Sequence, residues 1–65
     1  MKIIVNGETQ ETGASTLAAL LDALGQGEAK VATSVNEAFV PKQQRMDQSL
    51  HDGDRVEIVA PRQGG

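Results

Sequence analysis

The stretch "STLAALLDALG" at residues 15–25 decides the fold class of this 65-residue chain. Its leucines recur at the spacing of one face of an α-helix, namely Leu17, Leu20, Leu21 and Leu24. The hydroxyl of Ser15 or Thr16 is suited to cap the helix N-terminus, because it can accept a hydrogen bond from a free backbone N–H. Gly25 suits the left-handed position that ends many helices. The stretch therefore predicts one amphipathic helix, whose leucines need an apolar sheet face to cover them.

Segments before and after this helix predict the strands of that sheet. Five segments are predicted as strands: 2–6, 8–12, 31–36, 38–42 and 55–60. Asn6-Gly7 between the first two is the strongest short signal for a β-hairpin, and Asp52-Gly53 predicts a turn before the last. Pro41 marks a strand end or an edge, because proline cannot donate to a strand ladder. Residues 42–50 are polar up to Leu50 and are interpreted as a connection.

The order of these elements predicts a two-layer α+β domain. In the first and last strands, alternation turns one apolar face towards the helix, formed by Ile3, Val5, Val56 and Ile58. A long crossover separates these two strands, which makes them parallel neighbours. The result is the β-grasp, or ubiquitin-like, architecture: a mixed sheet of four to five strands packed on one helix. The domain is expected to span residues 1–59, and a flexible C-terminal Gly-Gly tail is expected at residues 60–65.

Composition argues against several functional classes. The absence of cysteine excludes a disulfide scaffold, a cysteine-ligated metal site and a thiol nucleophile. The net charge of −3, scattered Lys and Arg, and the lack of Trp and Tyr argue against a nucleic acid partner. No apolar segment approaches the ~20 residues that cross a membrane, and the N-terminus does not resemble a signal peptide, so we expect a cytoplasmic protein. His51 has no second His or Cys near it to form a metal site, and no nucleophile–base pair marks a catalytic residue, so we expect no enzyme.

Several ordered motifs carry a resemblance to a known family. The order of the elements, "VNEAFVPK" at 35–42, "LHDGDRVEIV" at 50–59 and the final "GG" together resemble the ThiS family. These proteins are ubiquitin-like sulfur carriers of thiamine biosynthesis. The MoaD family, the small subunits of molybdopterin synthase, shares the fold, the DGD turn and the two glycines, and stays an alternative. Pro61 is similar to MoaD, whereas residues 35–42 are more similar to ThiS.

The resemblance implies a chemical role for Gly65. A ThiF-type activating enzyme would use ATP and magnesium to adenylate the α-carboxyl of Gly65, at which the chain must end. Sulfur from a cysteine desulfurase would then replace AMP and leave a thiocarboxylate, which would donate sulfur to the thiazole synthase ThiG. The carrier itself would bind no cofactor. Two other functions stay open: a ubiquitin-like modifier that forms isopeptide bonds, and an interaction module with an inert tail.

The residues of the tail fit this chemistry. Residues 60–65 span about 20 Å when extended, enough to enter a partner's active site. Gly64 has no Cβ and suits a narrow channel, so we expect Gly64, Gln63 and Arg62 to insert into the partner. Arg62 either pairs with an acidic groove or stays solvated. Ile4 and Val59 are expected to point away from the helix and to form a docking patch.

Overall fold

The structure is a computed structural model, and it describes residues 1–60. These residues form five strands, one α-helix and one 3-10 helix. Their bounds in chain order are β1 Lys2–Val5, β2 Glu8–Glu11, α1 Leu17–Ala23, β3 Ala32–Val35, β4 Ala38–Val40, the 3-10 helix Lys42–Asp47 and β5 Arg55–Val59. All five predicted strands are present, each one or two residues shorter than predicted.

The five strands form one mixed sheet in the order β2-β1-β5-β3-β4. β1 and β5 are parallel neighbours, with Val5 opposite Val56, while the other neighbouring pairs are antiparallel. The first and last strands therefore lie next to each other inside the sheet, as the long crossover predicted. The β-grasp architecture is confirmed, and the sheet has the larger of the two predicted strand numbers.

The ends of α1 are fixed by the residues that the sequence indicated. Thr16, rather than Ser15, is the N-cap: its hydroxyl accepts a hydrogen bond from the backbone N–H of Ala19 at 3.2 Å. Gly25 follows the C-cap with φ +76°, and its N–H donates to the carbonyl of Asp22 at 3.0 Å. This left-handed glycine and its backward hydrogen bond end the helix.

The core lies between α1 and one face of the sheet. It contains expected residues of the helix, β1 and β5, and further residues from β3, β4 and the segment before β5. These core residues are Ile3, Val5, Leu17, Leu20, Val35, Val40, Leu50 and Val56. Leu21 is also buried, and Leu24 and Ile58 pack at the edge of the core. The opposite face of the sheet carries no helix among the described residues, and we call it the open face.

The segment between β4 and β5 differs from the prediction. The predicted strand at 38–42 ends at Val40, because Pro41 has no N–H to continue the ladder. Lys42–Asp47 then form a 3-10 helix that buries Arg45, which is 6% exposed. The Arg45 guanidinium donates through Nε to the Thr33 hydroxyl at 3.2 Å and through Nη2 to the Val31 carbonyl at 2.7 Å. A segment interpreted as a polar connection is thus a structural element that is tied to β3.

Candidate functional site

The candidate site is the end of the sheet from which the predicted tail departs. Val59, the last residue of β5, lies opposite Ala32 at the start of β3. The described chain continues to Ala60, which is exposed. The expected modified residue, Gly65, and the expected inserting residues Arg62, Gln63 and Gly64 lie outside the described residues. The structure therefore shows the base of the predicted tail.

Exposed apolar side chains of β3, β4 and β5 lie on the open face on the side of this base. Ala32 and Val59 are opposite each other, and Phe39 of β4 lies opposite Ser34 of β3. Because side chains alternate along a strand, Ala32, Phe39 and Val59 share the open face, and we call these three residues the tail-base surface. Phe39 is 68% exposed and Val59 is 60% exposed. Two large apolar side chains on one face near the tail are suited to contact another protein.

A shallow apolar recess lies at the edge of this surface. Its volume is about 280 Å³, and it is lined by Lys30, Val31, Ala32 and Val59. Lys30 is the sole charged residue of this lining. Arg45 helps to hold one wall of the recess, because its guanidinium donates a hydrogen bond to the Val31 carbonyl. A partner's apolar side chain can enter it beside the base of the tail.

The structure does not bring Ile4 and Val59 together. Both point to the open face, as the alternation predicted, but Ile4 lies opposite Arg55 at the start of β5. Val59 is at the other end of that strand, about 13 Å further along at the usual rise per residue. Ile4 is half-buried, whereas Val59 is exposed. The strand register thus places the two residues of the expected docking patch at opposite ends of β5.

Sequence reasoning did not select Phe39 for this site. A usable signal was present, because Val40 and Phe39 are neighbours in a predicted strand and must face opposite ways. Val40 is buried, with 3% of its surface exposed, so Phe39 points to the opposite, open face. Local alternation does not show which residues lie beside Phe39, because that depends on the strand order, which places β4 at the sheet edge.

A polar network occupies the opposite end of β5. The Asn36 side chain accepts a hydrogen bond from the Arg55 N–H at 3.0 Å and donates one to the Asp54 carboxylate at 3.0 Å. This donation from Asn36 is the main reason that the pKa of the Asp54 carboxyl lies below its ordinary value; burial opposes the shift, and the backbone N–H and charge of His51 add to it. The network fixes the turn before β5, and the side chain of His51 is 79% exposed, in agreement with a solvated turn histidine.

Two further observations concern residues 1–60 alone. In this part of the chain, no group of three or more His, Asp and Glu side chains is placed to hold a metal ion. None of its helices has the length and apolar character needed to cross a membrane.

Comparison with known proteins shows the family. The model of the ThiS family matches residues 3–65. A crystal structure of the thiamine biosynthesis protein ThiS from Geobacter metallireducens is similar over the full length of both chains, with a TM-score of 0.84 and 29% sequence identity. The solution NMR structure of a thiamine biosynthesis protein from the same organism has a TM-score of 0.79 at 28% identity, and the match covers this whole chain and 88% of that one.

A curated relative matches within a longer protein. The thiazole synthase of Paramagnetospirillum magneticum is 44% identical to this chain over 66 residues, which cover all of this chain and 20% of the relative. The chain thus spans about one fifth of the length of the curated relative it matches. The family match over residues 3–65 and the shared five-stranded fold show that the chain belongs to the ThiS family of ubiquitin-like sulfur carriers.

Proposed function

We propose that this chain carries sulfur for thiamine biosynthesis as a thiocarboxylate on Gly65. The observation that carries the proposal is the family match, which continues beyond the described residues to residue 65. The proposal requires Gly65 to bear a free α-carboxylate. In this role the chain is a co-substrate that enzymes modify and consume, rather than a catalyst.

The proposed chemistry takes place on the Gly65 carboxyl in two steps. A carboxylate oxygen attacks the α-phosphorus of ATP, bound with magnesium to a ThiF-type enzyme, and pyrophosphate leaves. Sulfur from a cysteine desulfurase, reduced by a thiol to the level of sulfide, then displaces AMP from the acyl adenylate. Both steps occur in the partner's active site, so this chain has to deliver the carboxyl there. Its slim Gly64-Gly65 end suits a narrow channel.

The tail-base surface is the part of the folded domain that we propose for docking. It lies where the described chain ends, so a partner that covers Phe39 and Val59 also meets the start of the tail. Aromatic side chains such as Phe39 are enriched in protein interfaces relative to the rest of the surface. Ile4 lies about 13 Å from Val59 along the strands. A partner that covers the open face as far as β1 would also contact Ile4.

Replacing Phe39 with Ser tests this docking surface. We expect the KM of the carrier for its activating enzyme to rise about tenfold with an unchanged kcat, because an apolar contact is lost from the complex. Val59→Ser is expected to act in the same direction, and Ile4→Ser shows how far the contact extends. Met46→Ser is the matched control, since Met46 is 76% exposed but lies on the 3-10 helix. Equal KM values for the Phe39 and Met46 variants would contradict docking at this surface.

We propose thiazole synthase as the sulfur acceptor. Support comes from the relative named as a thiazole synthase, in which one fifth of the chain is similar to this whole sequence. The presence of a carrier-like sequence within a thiazole synthase chain supports a direct link between sulfur carrying and thiazole synthesis. Both related solved structures are also described as thiamine biosynthesis proteins, which favours ThiS over the MoaD alternative.

The acceptor can be identified with radiolabelled sulfur. The loaded carrier is offered separately to a thiazole synthase and to the large subunit of a molybdopterin synthase, each with its own co-substrates. We expect label in the thiazole product and none in the pterin. Label in the pterin alone would overturn the assignment to thiamine biosynthesis, while leaving the chain a sulfur carrier.

A further inference from the structure

β5 extends further than β1, the strand beside it. β1 pairs with β5 at two positions only, Ile4 with Arg55 and Val5 with Val56. The chain then turns away at Asn6 and Gly7, whose φ angles are +50° and +85°. The last residues of β5 consequently have no strand backbone of β1 beside them, although they lie directly before the base of the tail.

The side chain of Asn6 occupies the place that β1 leaves. Its Oδ1 accepts a hydrogen bond from the Ile58 N–H at 2.8 Å, and its Nδ2 donates to the Ile58 carbonyl at 3.2 Å. The backbone N–H of Asn6 donates to the Val56 carbonyl at 2.9 Å. The side-chain amide thus supplies Ile58 with one acceptor and one donor in place of backbone groups of β1. It extends the ladder by one step towards Val59.

We propose that Asn6 is a positioning residue that fixes the direction in which the tail leaves the domain. This inference rests on the proposed function, because it concerns delivery of Gly65 into an activating enzyme. With Asn6 present, the end of β5 has a neighbour on both sides: the amide bonded to Ile58, and β3, in which Thr33 lies opposite Ile58. Val59 and Ala60 then continue from a fixed point, beside the tail-base surface on which we expect the partner to dock.

Loss of this contact has a specific kinetic consequence. Without the Asn6 amide, the end of β5 is held by β3 alone, and its terminal hydrogen bonds open more often. The tail then starts from a wider range of directions, and ordering it costs part of the binding free energy. Once inserted, Gly65 meets the same active site. We therefore expect a higher KM with an unchanged kcat.

Asn36 provides a matched control within the same chain. It is also an exposed turn asparagine with a positive φ, +51°. Its Oδ1 likewise accepts a hydrogen bond from a β5 backbone N–H, that of Arg55 at 3.0 Å. Arg55 begins β5, at the end remote from the tail. Substitution of Asn36 thus weakens β5 in a comparable way without touching the base of the tail.

The experiment compares Asn6→Gly with Asn36→Gly, because glycine keeps the positive φ and removes the side-chain amide alone. Both variants are assayed under conditions in which urea titration shows them folded. We expect Asn6→Gly to raise the KM for the activating enzyme about fivefold, with an unchanged kcat and faster hydrogen exchange at the Ile58 amide. Asn36→Gly is expected to leave the KM unchanged and to speed exchange at Arg55. If Asn6→Gly does not fold, Asn6→Asp replaces it, since it keeps the acceptor for the Ile58 N–H but puts an oxygen in place of the donor to the Ile58 carbonyl, and it is also expected to raise the KM.

The outcomes separate this inference from the proposed function. Equal KM values for the variants at positions 6 and 36, on a carrier that gains sulfur, overturn the positioning role alone. Unchanged exchange at Ile58 in the Asn6 variant overturns the contact on which that role depends. A wild-type chain that gains no sulfur overturns the proposed function, and the exchange rates then still decide whether Asn6 holds the end of β5.

Discussion

Deletion of Gly64 and Gly65 is expected to abolish sulfur loading while leaving the domain folded. The deletion moves the terminal carboxyl about 7 Å back along an extended chain, and a misplacement of ~1 Å can already cost a hundredfold in rate. It also places Gln63, which carries a side chain, at the reacting end. Folding is expected to persist, because the core residues lie between Ile3 and Ile58.

Incorporation of radiolabelled sulfur in the presence of an activating enzyme, ATP and a cysteine desulfurase measures this effect. Met46→Ser is the control, since it leaves the tail unaltered and Met46 is 76% exposed on the 3-10 helix. We expect the control to load and the truncated chain to show no label, with equal urea midpoints for both. A truncated chain that loads normally would show that Gly64 and Gly65 are not needed for loading and would contradict the assignment of the sulfur to Gly65.

Replacement of Arg45 by Ala is expected to destabilise the domain by about 3 kcal/mol, because buried hydrogen-bonding groups lose a charged partner. Arg45 is 6% exposed, and its guanidinium donates to the Thr33 hydroxyl and the Val31 carbonyl. Its removal leaves the Val31 carbonyl without this donor and detaches the 3-10 helix from β3. A domain of this size has an unfolding free energy of roughly 3–10 kcal/mol, so the change is a large fraction of the total.

Equilibrium unfolding in urea measures this loss of stability. Lys42→Ala is the control: it removes a cation of the same 3-10 helix, but Lys42 is exposed. We expect the control to change the unfolding free energy by less than about 0.5 kcal/mol. Similar values for the two variants would mean that the hydrogen bonds of Arg45 do not hold this segment in place.

Local patterns in the sequence were sufficient for most of the fold. The leucine spacing and Gly25 predicted α1 and its end, because helix periodicity and capping depend on near neighbours. Alternation in β5 predicted that Val56 and Ile58 face the core and that Val59 faces outward, and the structure confirms this. The crossover between the first and last strands predicted their parallel pairing, because a short hairpin cannot join parallel strands.

Features that depend on distant partners were not predictable in this way. Arg45 is buried because Thr33 and Val31 face it from positions 12 and 14 residues away, whereas arginine is usually exposed. Asn6 was interpreted as turn chemistry, and its contact with Ile58 spans 52 residues. The separation of Ile4 from Val59 follows from the register of β1 against β5. In each case the decisive geometry arises only when the strands assemble.

Intact-mass spectrometry of the wild-type chain decides whether Gly65 bears the sulfur. The chain, ending in a free Gly65 carboxyl, is incubated with an activating enzyme, ATP, magnesium and a cysteine desulfurase with its thiol reductant. We expect its mass to rise by the difference between one sulfur and one oxygen atom, and fragmentation to place the gain on Gly65. An unchanged mass, or a gain on any other residue, would contradict the sulfur-carrier function.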